Sequence, residues 1–420
     1  MGQTFSRTFD SLRVPNYRMF FGGQIVSWTG TWVQWVAQGW LVLRITDSGL
    51  GLGVVTAIQW LPILVLGAWA GVLADRVDKR RLLIFTNGSA AVLSLILGIL
   101  TLTGVVTLWM VIAIALLLGV VTALDNPARQ TFTMEMVGRA RLPNAVSLNT
   151  ATFTTARVLG PAIAGFLITS VGIGECFILN GLSFVPVTLA LVFMNKSALT
   201  VGERVERRRG QIVEGLRYVR SVPVLATLLT MMAVIGTLEY NFVVLLPVFA
   251  KETFAGDAGT LGLIGSTLGA GMFIGSLANA AVGKSDSRVL LIAGFALGSF
   301  TLLLAGAPSL WLAALLMVPL GAASMAFLTT MNSTLQLTSS DSMRGRVMAI
   351  YFVLFLGSTP IGAPIVGWVS EQFNPRVAIA LGGVATLAAC TWGLMKLPHV
   401  SMSHRPEELE VPEPATAAAD

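Results

Sequence analysis

LWMVIAIALLLG at 108–119 returns as LWLAALLMVPLG at 310–321, an offset of 202 residues. Each copy opens an apolar run about 20 residues long. That is what a helix rising 1.5 Å per residue needs to cross about 30 Å of hydrocarbon. At the same offset GPAIAG (160–165) faces GAPIVG (362–367), and upstream Gly67 and RRLLI (80–84) answer Gly275 and RVLLI (288–292) at an offset of 208. Composition alone makes single apolar matches. Three in collinear order indicate a duplicated half-chain.

Working outward, similar runs fall near 20–43, 50–74, 82–103, 107–126, 145–170 and 173–194. A second set follows near 223–249, 259–283, 289–308, 309–335, 346–370 and 375–395. The chain has 420 residues, 55% hydrophobic and 11% charged, with mean hydropathy +0.78. A soluble domain carries roughly 25% charged residues, so too little charge remains to cover a water-facing surface. The expected fold is an all-α membrane protein with twelve transmembrane helices in two pseudo-symmetric six-helix bundles. Its parts are a cytoplasmic segment 1–19, a first bundle 20–194, a linker 195–222, a second bundle 223–395 and a disordered tail 396–420. The first 19 residues are polar and lack a signal peptide's apolar core and cleavage site.

Net charge is +6 and the pI about 9.7, yet the basic residues do not form an aromatic-interleaved groove, and no nucleic-acid partner is expected. With the N-terminus inside, 23 of the 27 Lys and Arg lie in inner segments and three (Arg44, Lys251, Arg376) in outer loops, leaving Arg157 within a span. That asymmetry places both termini in the cytoplasm, in a protein of the cell inner membrane. In the linker, ERRRGQIVEGLRYVR (206–220) sets Ile212, Leu216 and Val219 on one face and arginines on the other. It reads as an amphipathic helix on the inner membrane surface, or else as a solvated basic linker.

Catalytic motifs are nearly absent. Both histidines, His399 and His404, lie in the tail, so neither a His relay nor a buried His metal site is available. Cys176 and Cys390 fall on opposite sides of the membrane, too far apart for a disulfide. Gly283-Lys284-Ser285 has Ala278 where a phosphate-binding loop needs its first glycine, so no ATP is used. No metal, no cofactor and no enzyme activity are expected.

Ionisable residues inside spans are the sharper signal, each costing at least about 2.5–3.5 kcal/mol at mid-bilayer unless paired or hydrated. Glu239 lies deep in the seventh span beside Tyr240 and Asn241, and Asp125 stands near the inner end of the fourth, before Asn126-Pro127. A carboxyl reaching water from either side carries protons; Glu239 is the first candidate for proton coupling and Asp125 the second. The structural alternatives are a hydrogen-bonded or membrane-edge position for Glu239 and a local Asx turn for Asp125. Arg157, mid-span in TATFTTARVLGPAIAG (150–165), pairs with a carboxylate, attracts an anionic substrate or serves packing. In the first span Gln24, Trp28, Thr31, Trp35 and Gln38 recur at steps of three and four, within about 40° of one face. Lipid has no use for glutamine amides, so this face looks at protein or at a wet cavity that would suit an amphipathic organic compound. With Arg157 and Asn241 it makes the candidate substrate cavity; Trp40 reads as an interfacial anchor.

The loop after the second span reads Gly71-Val72-Leu73-Ala74-Asp75-Arg76-Val77-Asp78-Lys79-Arg80-Arg81. It resembles the signature between helices 2 and 3 of the major facilitator superfamily, with Asp78 where glycine is usual. Gly160, Pro161 and Gly165 resemble a shortened form of the helix 5 motif of that superfamily's exporters. SWTGTWVQWVAQGWLVLRITDS (27–48), DNPARQTF (125–132) and EGLRYVR (214–220) are similar to the branch containing macrolide efflux proteins and the enterobactin exporter. The resemblance spans residues 12–395. It implies that Gly71 packs closely on the eleventh span and that Asp75 and Arg76 latch an inner gate with Arg344 or Arg346. It also implies a central cavity lined by spans 1, 4, 5, 7, 10 and 11. The expected activity is proton-coupled export of a small amphipathic compound (a drug, metabolite or siderophore) by alternating access. The expected partners are that small molecule, protons and the lipid bilayer, acting on a monomer. The rival readings are a proton-coupled nutrient importer and a non-transporting membrane sensor.

Overall fold

The computed structural model describes residues 9–200, 211–282, 287–340 and 343–397, and every regular element among them is helical. Bilayer interiors offer no hydrogen-bond partners, so a spanning chain satisfies its backbone internally. The first half holds α1 (Pro15–Thr46), α2 (Gly49–Arg76), α3 (Lys79–Leu102), α4 (Leu108–Ser170) and α5 (Ile173–Phe193). A short helix α6 (Gln211–Ser221) follows. The second half holds α7 (Pro223–Leu238), α8 (Phe242–Val248), α9 (Ala258–Val282), α10 (Ser287–Ala305), α11 (Leu310–Thr338), α12 (Arg344–Leu356), α13 (Thr359–Gln372) and α14 (Pro375–Lys396).

Ten of these stretches are long and apolar enough to cross a membrane. Two further crossings complete the twelve. The 63-residue α4 would reach about 95 Å if straight. It turns instead at Gly138, whose φ of 72° and ψ of 169° suit a residue without Cβ, and so provides two arms, 108–137 and 139–170. α1 is 32 residues long and falls short only in hydropathy, because its glutamines dilute it. The loop expected between the fourth and fifth spans is thus helical almost throughout. The seventh span, expected unbroken, divides into α7, α8 and a wider π-type turn Phe249–Thr253. The eleventh divides at Gly357 and Ser358.

Local chemistry sets the boundaries. Ser48 caps α2 by accepting from the Gly51 amide (2.9 Å), and Asn374 caps α14 by accepting from Val377 (2.9 Å), with Pro375 in the first turn. Asp78, the departure from the superfamily signature, caps α3 through the Arg81 amide (3.0 Å) at φ −62°. No glycine is required there.

The duplicated sequence becomes duplicated packing. Gly119 of α4 lies against the Gln59 carbonyl of α2, and its counterpart Gly321 of α11 against the Leu268 carbonyl of α9. Gly160 packs on Trp32 of α1, and Gly362 on Thr237 of α7. Each half has an apolar core, and that of the first half also takes in Val244, Val248 and Ala363 from the second. They join where α2 meets α13 and where the second arm of α4 meets α9. At the first seam Gly53 abuts Ala363 and Gly49 meets Gly367; at the second, Gly165 meets Gly262. Trp40 is half-buried between the two cores and is no interfacial anchor.

Arg76, Lys79, Arg80, Arg81, Arg344 and Arg346 share one face of the bundle, the basic face. On the opposite face the halves are tied by side chains: Lys251 donates to Asp47 (2.7 Å) and to the Leu43 carbonyl (2.9 Å). Glu371 accepts from the Leu50 amide (3.0 Å) and from the Ser48 hydroxyl.

α6 rests on the second half. Arg346 pairs with Glu214 (2.6 Å), the Ser340 amide donates to Tyr218 (3.1 Å), and Val219 is buried, while Leu216, expected on the same apolar face, is exposed. Residues 206–210, the tail from 398, Lys284, Ser285 and the side chains of Ile212 and Asp75 lie outside the described residues.

Candidate functional site

The break in the seventh span builds the site. Tyr240 N–H reaches back to the Ile235 carbonyl (3.3 Å), Asn241 N–H bonds to Glu239 O (2.9 Å), and Asn241 Nδ2 donates to the Thr237 carbonyl (2.7 Å). These contacts satisfy groups freed by the interruption, as they must where water is absent. The break sends neighbouring side chains in opposite directions. Tyr240 faces the middle of the molecule and donates its hydroxyl to the Ser324 carbonyl (3.1 Å). Glu239, 2% exposed, turns outward and accepts from Thr301 Oγ1 (2.6 Å) on α10 and Thr386 Oγ1 (3.5 Å) on α14.

The main cavity contains about 740 Å³ of atom-free space, partly open to the surroundings. Trp32, Trp35 and Val36 of the first half form one wall, with Arg157 and Pro161 beside them. Tyr240, Phe242 and Leu246 form the other, and α9 adds Gly265, Leu268 and Met272. The cavity therefore lies between the halves, lined by spans 1, 5, 7 and 8; spans 4, 10 and 11, implied by the resemblance, do not line it. A second, smaller pocket of about 320 Å³ joins Trp35 to Gln38, Thr56 and Gln59.

Arg157 is the one charged residue in the cavity wall. Its guanidinium carbon lies 5.8 Å from the centre of the Trp32 ring, within cation–π range. Trp32 is fixed from behind: Gly160, one turn beyond Arg157, leaves its Cβ space to Trp32, and the Trp35 ring stands edge-on 4.7 Å away. Gly160 and Pro161 of the helix 5 motif thus shape the cavity, while Gly165 holds the seam above it.

Of the polar stripe, only Trp35 lines the main cavity and Gln38 the smaller pocket, where its amide donates to Gln59 (2.8 Å). Gln24 accepts from Arg129, Thr31 donates to the Ser27 carbonyl (2.8 Å), and Trp28 packs edge-on against Phe153. Asn241 is buried against Gly362 and the Thr237 carbonyl. Those four stand away from the cavity because each meets a partner within the bundle. Trp32 was passed over, although it lies four residues after Trp28 and three before Trp35. That spacing already put it at the edge of the same face.

Asp125 is part of a buried polar cluster rather than an Asx turn. It pairs with Arg129 and accepts from Thr86 Oγ1 (2.7 Å) and Asn87 Nδ2 (3.4 Å). At the basic face, Gly71 is buried and Arg76 exposed. Lys79 pairs with Glu135 (2.7 Å), and Arg80 donates to the Leu191 (2.6 Å) and Val192 (2.8 Å) carbonyls at the end of α5. Arg344 reaches the Gln336 carbonyl (3.1 Å) and Arg346 Glu214. Asp75, which the resemblance pairs with Arg344 or Arg346, has its side chain outside the described residues.

A chain of two duplicated six-helix bundles around such a cavity has the architecture of a secondary transporter. From residue 6 to 419 the chain matches the family described as transmembrane secretion effector, and it belongs to that branch of the major facilitator superfamily, a family of transporters and not of enzymes. It is 24% identical over 376 residues to the staphyloferrin A transporter of Staphylococcus aureus, covering 88% of this chain and 93% of the relative. It is 28% identical over 351 residues to the multidrug efflux pump Tap of Mycolicibacterium fortuitum, covering 80% and 85%. A crystal structure of a variant of the nucleoside transporter NupG superposes with a TM-score of 0.74 at 12% identity, covering 91% of this chain and 99% of that one. The expected kinship with exporters holds, and the protein is a multi-pass membrane transporter.

Proposed function

We propose that this protein exports a small amphipathic compound from the cytoplasm across the inner membrane, driven by protons and operating by alternating access. The observation that carries the reading is the cavity between the halves, beside a broken span that bears a buried carboxyl. The basic face is the cytoplasmic one, as the positive-inside rule directs. The seams and the contacts of Lys251 and Glu371 on the opposite face then seal the cavity from the outside in this conformation.

Glu239 and Tyr240 supply the coupling. Glu239 takes up a proton on the α10–α14 side of the break, Tyr240 touches the substrate on the other, and Phe242 lines both the cavity and a small pocket against Glu239. A change of charge at Glu239 alters its hold on Thr301 and Thr386, moving the break and hence the cavity wall. One proton entering down ~100 mV and ~1 pH unit supplies about 2.3 + 1.4 kcal/mol. A neutral substrate exchanged one for one could then be held at a gradient of several hundred-fold.

The test is uptake of dyes, antibiotics and siderophores into inverted vesicles under an imposed pH gradient, with wild type and Glu239→Gln. Wild type should accumulate a substrate when the lumen is acid, and Glu239→Gln should lose that response while folding normally. Undiminished pH-driven uptake in the mutant would remove Glu239 from the mechanism. Accumulation favoured by the reversed gradient would indicate import.

A further inference from the structure

We infer that the cavity selects organic anions that carry an aromatic ring, with Arg157 as the group that fixes the charge. The inference rests on the cavity being the transport site and narrows what it accepts.

The wall has one charge, a cation, and no Asp or Glu. Three other arginines are matched by carboxylates, Arg129 by Asp125, Arg141 by Asp10 and Arg346 by Glu214, and Arg80 and Arg376 by backbone carbonyls. Among the described residues no carboxylate lies within 4 Å of Arg157, which rests on the face of Trp32 instead. A guanidinium unmatched at this depth is costly, and a bound carboxylate, sulfonate or phosphate would match it with parallel hydrogen bonds that an ammonium or a neutral amide cannot accept. The scaffold holds the arginine in place: Gly160 seats Trp32, and Trp32 carries the guanidinium at the boundary between the halves.

The remaining wall sets the rest of the ligand. Trp32 and Trp35 face Tyr240 and Phe242 across the cavity, with Leu246, Leu268 and Met272 around them. Behind Tyr240 the ring series continues to Phe355 (5.6 Å), and Tyr351 stacks on Phe355 (6.2 Å) towards the basic face. Opposed aromatic walls favour a planar ring between them. A cation at one edge favours a negative group on that ring's rim.

The experiment uses three probes of one shape: 1-naphthoate, 1-naphthamide and 1-naphthylmethylammonium. Binding to the full-length protein in detergent is measured by equilibrium dialysis against protein-free micelles, for wild type, Arg157→Lys, Arg157→Gln and Trp32→Ala. Wild type should bind the naphthoate at least tenfold tighter than either other probe. Arg157→Gln should reduce that preference to within twofold, Arg157→Lys should keep part of it, and Trp32→Ala should weaken the naphthoate at least fivefold. Gel filtration and thermal melting confirm folding, and the lysine variant decides should the glutamine variant not fold. Equal binding of the three probes by wild type, no binding above micelles, or a preference that survives in Arg157→Gln overturns the proposal. Loss of pH-driven transport with the naphthoate preference intact would strike the coupling reading alone. Transport with no anion preference would strike this one alone.

Discussion

The seam between Gly165 and Gly262 permits a direct test of alternating access. In the conformation described, a Cβ on Gly165 would stand 2.7 Å from Gly262 Cα and 2.9 Å from the Ala258 carbonyl oxygen. Carbon atoms rest at about 3.5–4.0 Å, so Gly165→Ala must push α4 and α9 apart by roughly 1 Å. Overpacking of this kind costs about 1–3 kcal/mol. The penalty falls only on the state in which the halves touch on the face opposite the basic one; where they separate, the methyl meets nothing. At 1.4 kcal/mol per factor of ten, the population should move about 5–150-fold towards opening on that face. The assay is a spin-label distance between cysteines placed at Val105 and Phe373, both exposed on that face in different halves, with Cys176 and Cys390 replaced by alanine. Gly165→Ala should raise the long-distance fraction at least fivefold. Gly119→Ala, crowded wholly within the first half against Gln59, should lower stability without shifting the distances. An unchanged distribution in a folded Gly165→Ala, or an equal shift in Gly119→Ala, refutes the rocking of two rigid halves.

Two further outcomes follow from charged groups. Asp125 and Arg129 form a pair with side chains 11% and 14% exposed, so Asp125→Asn strands a buried cation and should cost about 3–5 kcal/mol. Asp125→Asn with Arg129→Gln should melt above the single mutant in detergent, and a double mutant no more stable than the single would dissolve the pairing. The Asp47 carboxyl is held below its usual range by the hydrogen bond and charge of Lys251. A lowered value means the contact is present above the ordinary carboxylate range and is lost only as pH falls through that depressed value. Distances across this face should therefore be the same from pH 8 to pH 5, and an opening between pH 7 and 6 would show that another group governs it.

The spans and the duplication were legible because a bilayer imposes length and apolarity on any segment that crosses it, and because the glycines repeated at 119 and 321, and at 160 and 362, serve equivalent crossings. What escaped reading depends on contacts between segments. Nothing local to Glu239-Tyr240-Asn241 announces a break; it exists because Asn241 finds the Thr237 carbonyl and Glu239 finds hydroxyls on α10 and α14. The glutamines of α1 were read as facing protein or a wet cavity. Gln38 reached a pocket, whereas Gln24 met an arginine 105 residues away, a pairing that periodicity cannot show. Gly138 was lost among 43 glycines, since a positive φ has no mark in the sequence.

The link between the two halves is anchored at each end to a different body. Asn195 bonds with Asn16, and the Thr200 amide donates to the Glu135 carbonyl (2.9 Å), whereas Glu214 and Tyr218 contact the second half. Only ten residues, 201–210, lie between Thr200 and the first residue of α6, and ten residues pay out at most about 33–36 Å when drawn taut. That leash caps how far the two halves can part on the basic face, and α6, held by Arg346 and Ser340, stays with the second half.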